Sequence, residues 1–354
     1  MDFKELTSRS VNPRLKRSGS LRDVVGVELF SGDARGCPAV RLQMHKGVWA
    51  VHAVGFVPPP KGELPKSWKD LDRQEVWSLP SPFNAPVAAL AVNSADALVR
   101  QTTLEALSEG GEPPKDDVPV SRNGSRIAAS AMGEANFMLE ASIPEYQALW
   151  LARLLPEGRR PTSASVQVGV TAMLGALAGQ PAFVAANGNA VVIFVTRTAV
   201  YLAGFREGAL ILFRECPGVG GYMAVREAVK KSLGFDESMV DEVLGDSLID
   251  PGPALEPIVS SVLQQLRLSL DYLTSRMGAE TPQVLLCGLN AGARHWVQLA
   301  RERSHIELTA VNPFDGLKLP AKAGMMPSDL KSPDGLQVFL TALGAARSAM
   351  EVAS

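Results

Sequence analysis

The strongest constraint on the fold comes from three short apolar stretches between residues 190 and 221. They are rich in β-branched and aromatic residues, which favour strands, and they span Val191–Thr196, Ala199–Phe205 and Ala209–Arg214. Gly208 lies between the last two stretches and supplies the positive φ that a tight turn requires. The sequence therefore predicts a three-stranded antiparallel meander.

A glycine turn, Gly218-Val219-Gly220-Gly221, follows the meander and precedes a helical segment. Backbone N–H groups that are exposed at a strand-to-helix turn attract anions, so a unit of this kind can bind a phosphate. Glycines also occur at such junctions because they let two backbones pack closely. The turn thus predicts either a phosphate-binding site or close packing alone.

A similar pattern occurs near the start of the chain, where Val24–Phe30, Cys37–Met44 and Gly47–Val57 alternate with turns. Each of the two meanders is followed by further strands and helices. A weak internal repeat of this kind predicts two related α/β domains with a cleft between them.

The composition places the chain among globular proteins. It has 354 residues, of which 46% are hydrophobic and 20% are charged, which is enough for a substantial core. The net charge of -2 argues against nucleic acid binding, because proteins that bind nucleic acid usually carry a basic excess. No segment reaches the roughly 20 apolar residues of a membrane-spanning helix, and the first residues lack the apolar core of a secretory signal.

The three cysteines and four histidines show no metal-ligand spacing. Cys37, Cys216 and Cys287 lie in or beside apolar strand-like runs, so we interpret them as buried thiols in a reducing compartment. Residues 1–22 are polar and basic, and two interpretations are open: a solvated tail, or contact with an acidic membrane surface.

Several segments together resemble the actin-like ATPase fold. They are the doubled meander, the glycine turn into a helix, LRLSLDYL at 266–273, QVLLCGLNAG at 283–292 and VNP at 311–313. Their order and spacing, over roughly residues 24–345, are most similar to the PilM-like proteins of type IV pilus assembly, to which FtsA and the L component of type II secretion are related. The resemblance implies an α/β, actin-like (ribonuclease H-like) fold of two domains, each a mixed five-stranded sheet with helices, and a small inserted α+β subdomain.

The resemblance also implies a division of the chain. We expect a flexible basic tail at 1–22, a first actin-like domain at 23–92 and 335–354, an inserted subdomain at 93–162 and a second actin-like domain at 163–334. Within the insert, we expect Arg126–Met132 and Phe137–Ile143 to form an exposed sheet edge, because a small sheet has few strands.

PilM-like proteins bind the cytoplasmic N-terminal peptide of PilN, a single-pass inner-membrane protein. The resemblance therefore implies a PilN-like partner, with a PilO-like protein and the pilus motor ATPase as indirect partners. It implies a cytoplasmic protein that is held at the inner membrane through its partners and has no transmembrane segment of its own. Extended peptides bind by pairing with a free strand edge or by filling apolar pockets.

In this fold a carboxylate at the end of the first strand of each domain holds Mg²⁺, while turn N–H groups and hydroxyls hold the phosphates of ATP. The two carboxylate positions are Glu28 and Phe194 here. Glutamate is longer than aspartate by a methylene, and phenylalanine has no ligand atom. Carried onto this sequence, the resemblance names Glu28 as the candidate metal ligand and the following candidate cofactor-binding residues: Glu28, Ser31, Thr196, Gly220, Gly221, Gly288 and Asn290.

We therefore expect weak or absent binding of ATP with Mg²⁺, no catalytic residue, and a pseudo-ATPase that works as a scaffold. One alternative is an active actin-fold ATPase or kinase, which needs a second acid such as Glu215 or Asp241. The other is an FtsA-like protein that forms filaments.

Overall fold

A computed structural model of the chain describes residues 22–351 apart from short internal gaps. The gaps are 46–47, 74–75, 110–118, 134–135, 156–160, 178–179, 237–238, 247, 278–281, 290 and 320–335. The basic tail predicted at 1–22 therefore lies almost wholly outside the described residues, as does Asn290.

Fourteen strands are present among the described residues. They are β1 (Asp23–Leu29), β2 (Cys37–His45), β3 (Val48–Val57), β4 (Val87–Val92), β5 (Leu98–Thr103), β6 (Val120–Arg122), β7 (Ser125–Ala131), β8 (Phe137–Pro144), β9 (Thr162–Val168), β10 (Ala190–Val195), β11 (Val200–Arg206), β12 (Ala209–Glu215), β13 (Gln283–Cys287) and β14 (Leu308–Ala310).

The helices of the described residues follow the same chain order. They are α1 (Leu104–Glu109), α2 (Glu145–Leu154), α3 (Gly169–Leu177), α4 (Pro181–Ala185), α5 (Tyr222–Leu233), α6 (Val240–Gly245), α7 (Gly252–Met277), α8 (Ala293–Ser304) and α9 (Leu340–Glu351). Two 3₁₀ helices cover Trp68–Arg73 and Gln337–Phe339.

The first unit is built on a five-stranded sheet with the order β3-β2-β1-β4-β9. The first three strands are antiparallel, and β1, β4 and β9 run parallel. Every residue of Val87–Val92 is buried, which is typical of a central parallel strand that is covered on both faces. Trp150, Leu151 and Leu154 of α2 belong to the core on one face of this sheet.

Helix α9 packs on the same sheet at very short range because β1 carries a glycine. A methyl group added at Gly26 would lie 1.9 Å from the carbonyl oxygen of Ala342, so only glycine lets the helix backbone approach this closely. As a result, the start of α9 lies beside the carboxyl end of β1.

The second unit repeats the arrangement with the order β12-β11-β10-β13-β14. Strands β10 to β12 form the antiparallel meander that the sequence predicts, and β10, β13 and β14 are parallel. One core is shared by α5, α7 and α8, and it includes Val225, Val259 and Trp296. Helix α7 contributes an apolar stripe to this core, formed by Val259, Leu263, Leu266 and Leu273, which are all buried.

A separate antiparallel sheet, with the order β5-β8-β7-β6, forms the insert. The prediction that Phe137–Ile143 is an edge strand was wrong, because β8 lies between β5 and β7. β5 forms one edge instead. On the other side, the described pairing of β7 with β6 covers only Ser125–Ile127, so most of the predicted edge segment Arg126–Met132 has no described partner there.

The two compact units divide differently from the sequence-based boundary at residue 163. Strand β9 pairs with β4, and α3 packs against α9, so both belong to the first unit. The first unit comprises the described residues up to 177, 316–319 and 339–351, and the second comprises 180–315 and 336–338. The sequence of residues 163–170 suited a strand or a helix, and only the pairing with β4 assigns it.

Candidate functional site

The carboxyl end of β1 holds Glu28, the candidate metal ligand, in a buried position that is 8% exposed. Asn93, which directly follows β4, donates from Nδ2 to Glu28 Oε1 at 2.5 Å. Thr341, at the start of α9, is a second hydrogen-bond partner of the carboxyl group. Both partners belong to the first unit, so this network is complete within one unit.

Burial raises the pKa of the Glu28 carboxyl from 4.5 to about 7, even though the hydrogen bonds from Asn93 and Thr341 act in the opposite direction. The nearby charge of Asp33 raises it further. A carboxyl group with this pKa is protonated in a large fraction of molecules at neutral pH. A carboxyl group binds magnesium in its ionised form, so protonation of Glu28 opposes metal binding at neutral pH.

Asn93 was not singled out from the sequence, although a signal was present. It is the first polar residue after six consecutive buried residues of β4, and its backbone N–H donates to the carbonyl oxygen of Leu29 at 3.2 Å. Its Oδ1 lies against the first residue of α3, where a methyl group added at Gly169 would be only 2.1 Å away. Close packing on two sides therefore fixes the amide that binds Glu28.

Ser31 belongs to the turn between β1 and β2. Its hydroxyl accepts a hydrogen bond from the N–H of Asp33 at 3.3 Å and lies 3.5 Å from the carbonyl oxygen of Gly36. These contacts close the turn on itself.

At the matching end of β10, Phe194 is fully buried, with 0% of its surface exposed. Its register partners are Tyr201 of β11 and Cys287 of β13, whose side chains share its face of the sheet. None of these three side chains is a carboxylate, and the ring fills a space in the core of the sheet. The alternative acid Asp241 accepts a hydrogen bond from the hydroxyl of Tyr222 at 2.6 Å and forms an ion pair with Arg226, whereas Glu215 is exposed.

Thr196 directly follows β10, and its hydroxyl is used in a local turn. It donates to the carbonyl oxygen of Ala199 at 2.9 Å and accepts from the N–H of the same residue at 3.1 Å. The O–H donor that a phosphate oxygen would need is thus engaged by a backbone carbonyl group.

The glycine turn leads into α5 as predicted, but the first N–H groups of this helix have protein partners. Tyr222 N–H donates to the carbonyl oxygen of Thr196 at 2.8 Å, and Met223 N–H donates to that of Arg197 at 3.0 Å. A methyl group added at Gly221 would lie 2.1 Å from the Thr196 oxygen, whereas one at Gly220 would meet Ala224 Cβ at 3.1 Å. Gly221 therefore allows close packing, which was the second interpretation of this turn.

Gly288, which follows β13 with a φ of +91°, donates its N–H to Gln337 Oε1 at 2.9 Å. The amide nitrogen of Gln337 donates to the carbonyl oxygen of Val311, beyond the end of β14. Gln337 is 4% exposed, so its side chain satisfies two buried backbone groups at once. It lies 49 residues from Gly288, and no local pattern marks it.

Replacement of Gln337 by methionine should lower the free energy of unfolding by about 2 kcal/mol. The substitution removes the amide from two buried backbone groups, each of which costs about 1–3 kcal/mol when it is left unpaired. Urea denaturation followed by circular dichroism measures the change, and Gln298→Met, at an exposed position on α8, is the matched control. Equal stability of the two variants would contradict the role assigned to Gln337.

The groups described here do not fit a magnesium ion with a triphosphate. One candidate metal position carries a protonatable buried carboxyl and the other an aromatic ring, while the hydroxyls of Ser31 and Thr196 and the N–H of Gly288 have protein partners. Among the described residues, no group of three or more His, Cys, Asp or Glu side chains has an arrangement suited to a metal.

A different surface of the first unit exposes apolar side chains. Trp68 is 53% exposed, and its ring meets that of Tyr146 edge-on, with 6.2 Å between centroids. Leu149, one turn further along α2, is 38% exposed. We call Trp68, Tyr146 and Leu149 the aromatic patch.

Gln147 connects the aromatic patch to the edge of the inserted sheet. Its buried amide accepts from Ser94 Oγ at 2.9 Å and donates to the carbonyl oxygen of Pro65 at 3.2 Å and to Asp96 Oδ2 at 3.0 Å. Edge strand β5 begins two residues after Asp96, with Leu98 41% exposed. An exposed apolar surface therefore lies next to the start of an edge strand.

The two sheets define the class of protein. Each joins a three-stranded antiparallel meander to two parallel strands, and a small antiparallel sheet is inserted into the first unit. This is the actin-like two-domain α/β fold, as the sequence predicts. Within the described residues, no helix is both long enough and apolar enough to cross a membrane.

Comparison with solved structures finds chains of the same fold. The chain is similar to a chain of the PilM-PilN type IV pilus biogenesis complex, with 18% identity and a TM-score of 0.58 over 92% of this chain and 98% of that chain. The predicted resemblance is thus confirmed at the level of the fold. No family model matches the chain, and no curated protein matches it.

Two further structures are more distant. One is a protein of actin-like ATPase fold and unknown function from Bacteroides thetaiotaomicron, with 12% identity and a TM-score of 0.42 over 83% of this chain and 92% of that chain. The other is the activator of 2-hydroxyisocaproyl-CoA dehydratase from Clostridium difficile with bound ADPNP, with 11% identity and a TM-score of 0.43 over 94% of this chain and 95% of that chain.

Proposed function

We propose that this protein is an actin-like scaffold of a type IV pilus or related secretion platform, which binds the cytoplasmic N-terminal peptide of a PilN-like inner-membrane protein. The observation that carries the proposal is the fold shared with a chain of the PilM-PilN complex over 92% of this chain. On this proposal the protein is cytoplasmic, reaches the membrane through its partner, and contacts a PilO-like protein and the motor ATPase indirectly.

The proposed scaffold does not hydrolyse ATP efficiently. Phosphoryl transfer depends on tightly positioned metal and phosphate contacts, and the loss of positioning groups costs orders of magnitude in rate. Supporting this, Phe194 has no ligand atom, the Glu28 carboxyl is buried beside Asn93, and the first N–H groups of α5 have backbone partners.

We place the peptide on the aromatic patch and the adjoining edge of β5. An extended peptide can pair its backbone with an edge strand while its apolar side chains contact a neighbouring exposed surface. The aromatic patch provides rigid contact area at low entropic cost. Aromatic side chains of this kind are common among the residues that contribute most of the binding energy of an interface.

The test is a calorimetric titration of the full chain with a peptide that has the cytoplasmic N-terminal sequence of a PilN-like inner-membrane protein. Trp68→Ala should weaken binding by about tenfold or more, because truncation of a central tryptophan typically costs about 2 kcal/mol or more. Leu268→Ala is the matched control, since Leu268 is equally exposed (54%) but lies on α7 in the second unit. Equal losses in both variants would contradict the placement, and no binding at high micromolar peptide would contradict the proposal.

A peptide that is N-methylated at alternate residues separates the two parts of this contact. Strand pairing uses backbone N–H groups, so the methylated peptide should lose most of its affinity. An isomer that carries the same number of methyl groups at other residues should retain part of it. If both bind as well as the unmodified peptide, β5 is not the docking edge.

A further inference from the structure

An open groove of about 140 Å³ lies between α7 and α8 in the second unit. It is lined by Ser260, Leu263, Gln264, Arg267, Arg303 and Ser304. Leu263 is buried at 3% exposure, whereas Arg267 and Arg303 are exposed. The groove is therefore open to solvent, with polar side chains around a buried apolar residue.

The polar side chains come from two helices and converge. Ser260, Gln264 and Arg267 are spaced at i, i+4 and i+7, so they follow one face of α7. Arg303 and Ser304 are the last two residues of α8. Each of these five side chains can donate a hydrogen bond, and no carboxylate is among the lining residues.

Charge in the groove is only partly balanced. Arg303 Nη2 contacts Glu256 Oε1 at 2.8 Å, in a pair whose side chains are 55% and 40% exposed. An exposed pair of this kind contributes little free energy, so an incoming anion can compete with Glu256. Arg267 is exposed and provides the second positive charge of the groove.

We propose that this groove binds a phosphate-class oxyanion. Two guanidinium groups offer the planar forks that match phosphate oxygens, and two hydroxyls and an amide provide further donors. These donors are more than the two oxygens of a carboxylate can accept from, whereas the oxygens of a tetrahedral dianion can accept from all of them. The space is several times the roughly 30 Å³ share of a water molecule, which suits one such ion with a few waters.

The test is a titration of the full chain with inorganic phosphate against chloride at constant ionic strength, followed by calorimetry. Saturable binding is expected. R267Q or R303Q should each weaken the affinity about tenfold, which corresponds to the loss of one hydrogen bond to a charged group. E256Q should tighten binding, because it removes the competitor of the anion for Arg303. R301Q is the matched control, since Arg301 is exposed on the same helix turn, is not part of the lining, and changes the net charge equally.

A second arm identifies the source of the phosphate group. Vesicles of phosphatidylglycerol in phosphatidylcholine are tested for binding to the chain. Binding that is lost in R267Q but kept in R301Q indicates a lipid headgroup, whereas binding of free phosphate alone indicates a soluble ligand. R267K, which keeps the charge but loses the fork, should fall between wild type and R267Q, and it replaces R267Q if that variant does not fold. If phosphate has no effect beyond chloride, or if R301Q matches R267Q, the proposal is overturned, and the arginines only offset the partial negative charge at the end of α8.

Discussion

Replacement of Phe194 by aspartate should lower the free energy of unfolding by more than about 4 kcal/mol. The substitution introduces the acidic residue that the resemblance to actin-like ATPases implies here, but it places a carboxylate where a fully buried ring fills the core of the sheet. Loss of a buried phenylalanine alone costs about 3–5 kcal/mol, and burial of an unpaired charge adds to that cost. We therefore expect collapse of the second unit and no gain of metal binding.

Phe194→Leu is the control for this prediction, because it keeps an apolar side chain and should cost about 1–2 kcal/mol. Urea denaturation of both variants, with and without a roughly tenfold molar excess of Mg²⁺ over protein, compares their free energies of unfolding. An aspartate variant as stable as the leucine variant, or one that magnesium stabilises, would show that a metal site is still latent at the end of β10.

Replacement of Glu28 by glutamine should stabilise the protein at alkaline pH and leave it unchanged at acidic pH. The pKa of Glu28 is about 7 in the folded chain and 4.5 for an ordinary glutamate. Between these values the folded state binds more protons than the unfolded state, so wild-type stability falls as the pH rises from 4.5 to about 7. Glutamine imitates the protonated form and removes this loss.

The expected difference between the glutamine variant and wild type is about 3 kcal/mol at pH 8 and close to zero below pH 4.5, since one pKa unit corresponds to about 1.4 kcal/mol. Denaturant midpoints measured across this range give the difference directly. Glu215→Gln, at an exposed strand end, should change stability by less than about 0.5 kcal/mol at every pH. A glutamine variant that is less stable than wild type at pH 8 would mean that an ionised Glu28 is favourable in the folded chain.

The meanders could be predicted from sequence because their determinants are local. Apolar β-branched runs separated by a turn such as Glu207-Gly208 fix both strand and hairpin, and the second meander starts and ends within two residues of its predicted bounds. The position of Phe194 near the end of its strand could also be predicted, because the apolar run that contains it is local.

The features that could not be predicted from the sequence depend on contacts between residues that are distant along the chain. Gln337 acts on Gly288 only after the chain returns to the ends of β13 and β14, and Asn93 acts on Glu28 only because β4 lies parallel to β1. The strand order of the insert could not be inferred either, since the segment that became β5 suited a helix as well as a strand. Short apolar runs without a distinctive period do not reveal their neighbours.

We propose that the protein has the actin-like fold and works by binding a partner peptide, without efficient hydrolysis of ATP. The most direct test is a calorimetric titration of the full chain with the cytoplasmic N-terminal peptide of a PilN-like inner-membrane protein, in the presence and absence of ATP and Mg²⁺. We predict saturable binding with the same dissociation constant in both conditions and no release of inorganic phosphate. Failure of the peptide to bind, or binding that requires ATP and is accompanied by its hydrolysis, would contradict the account.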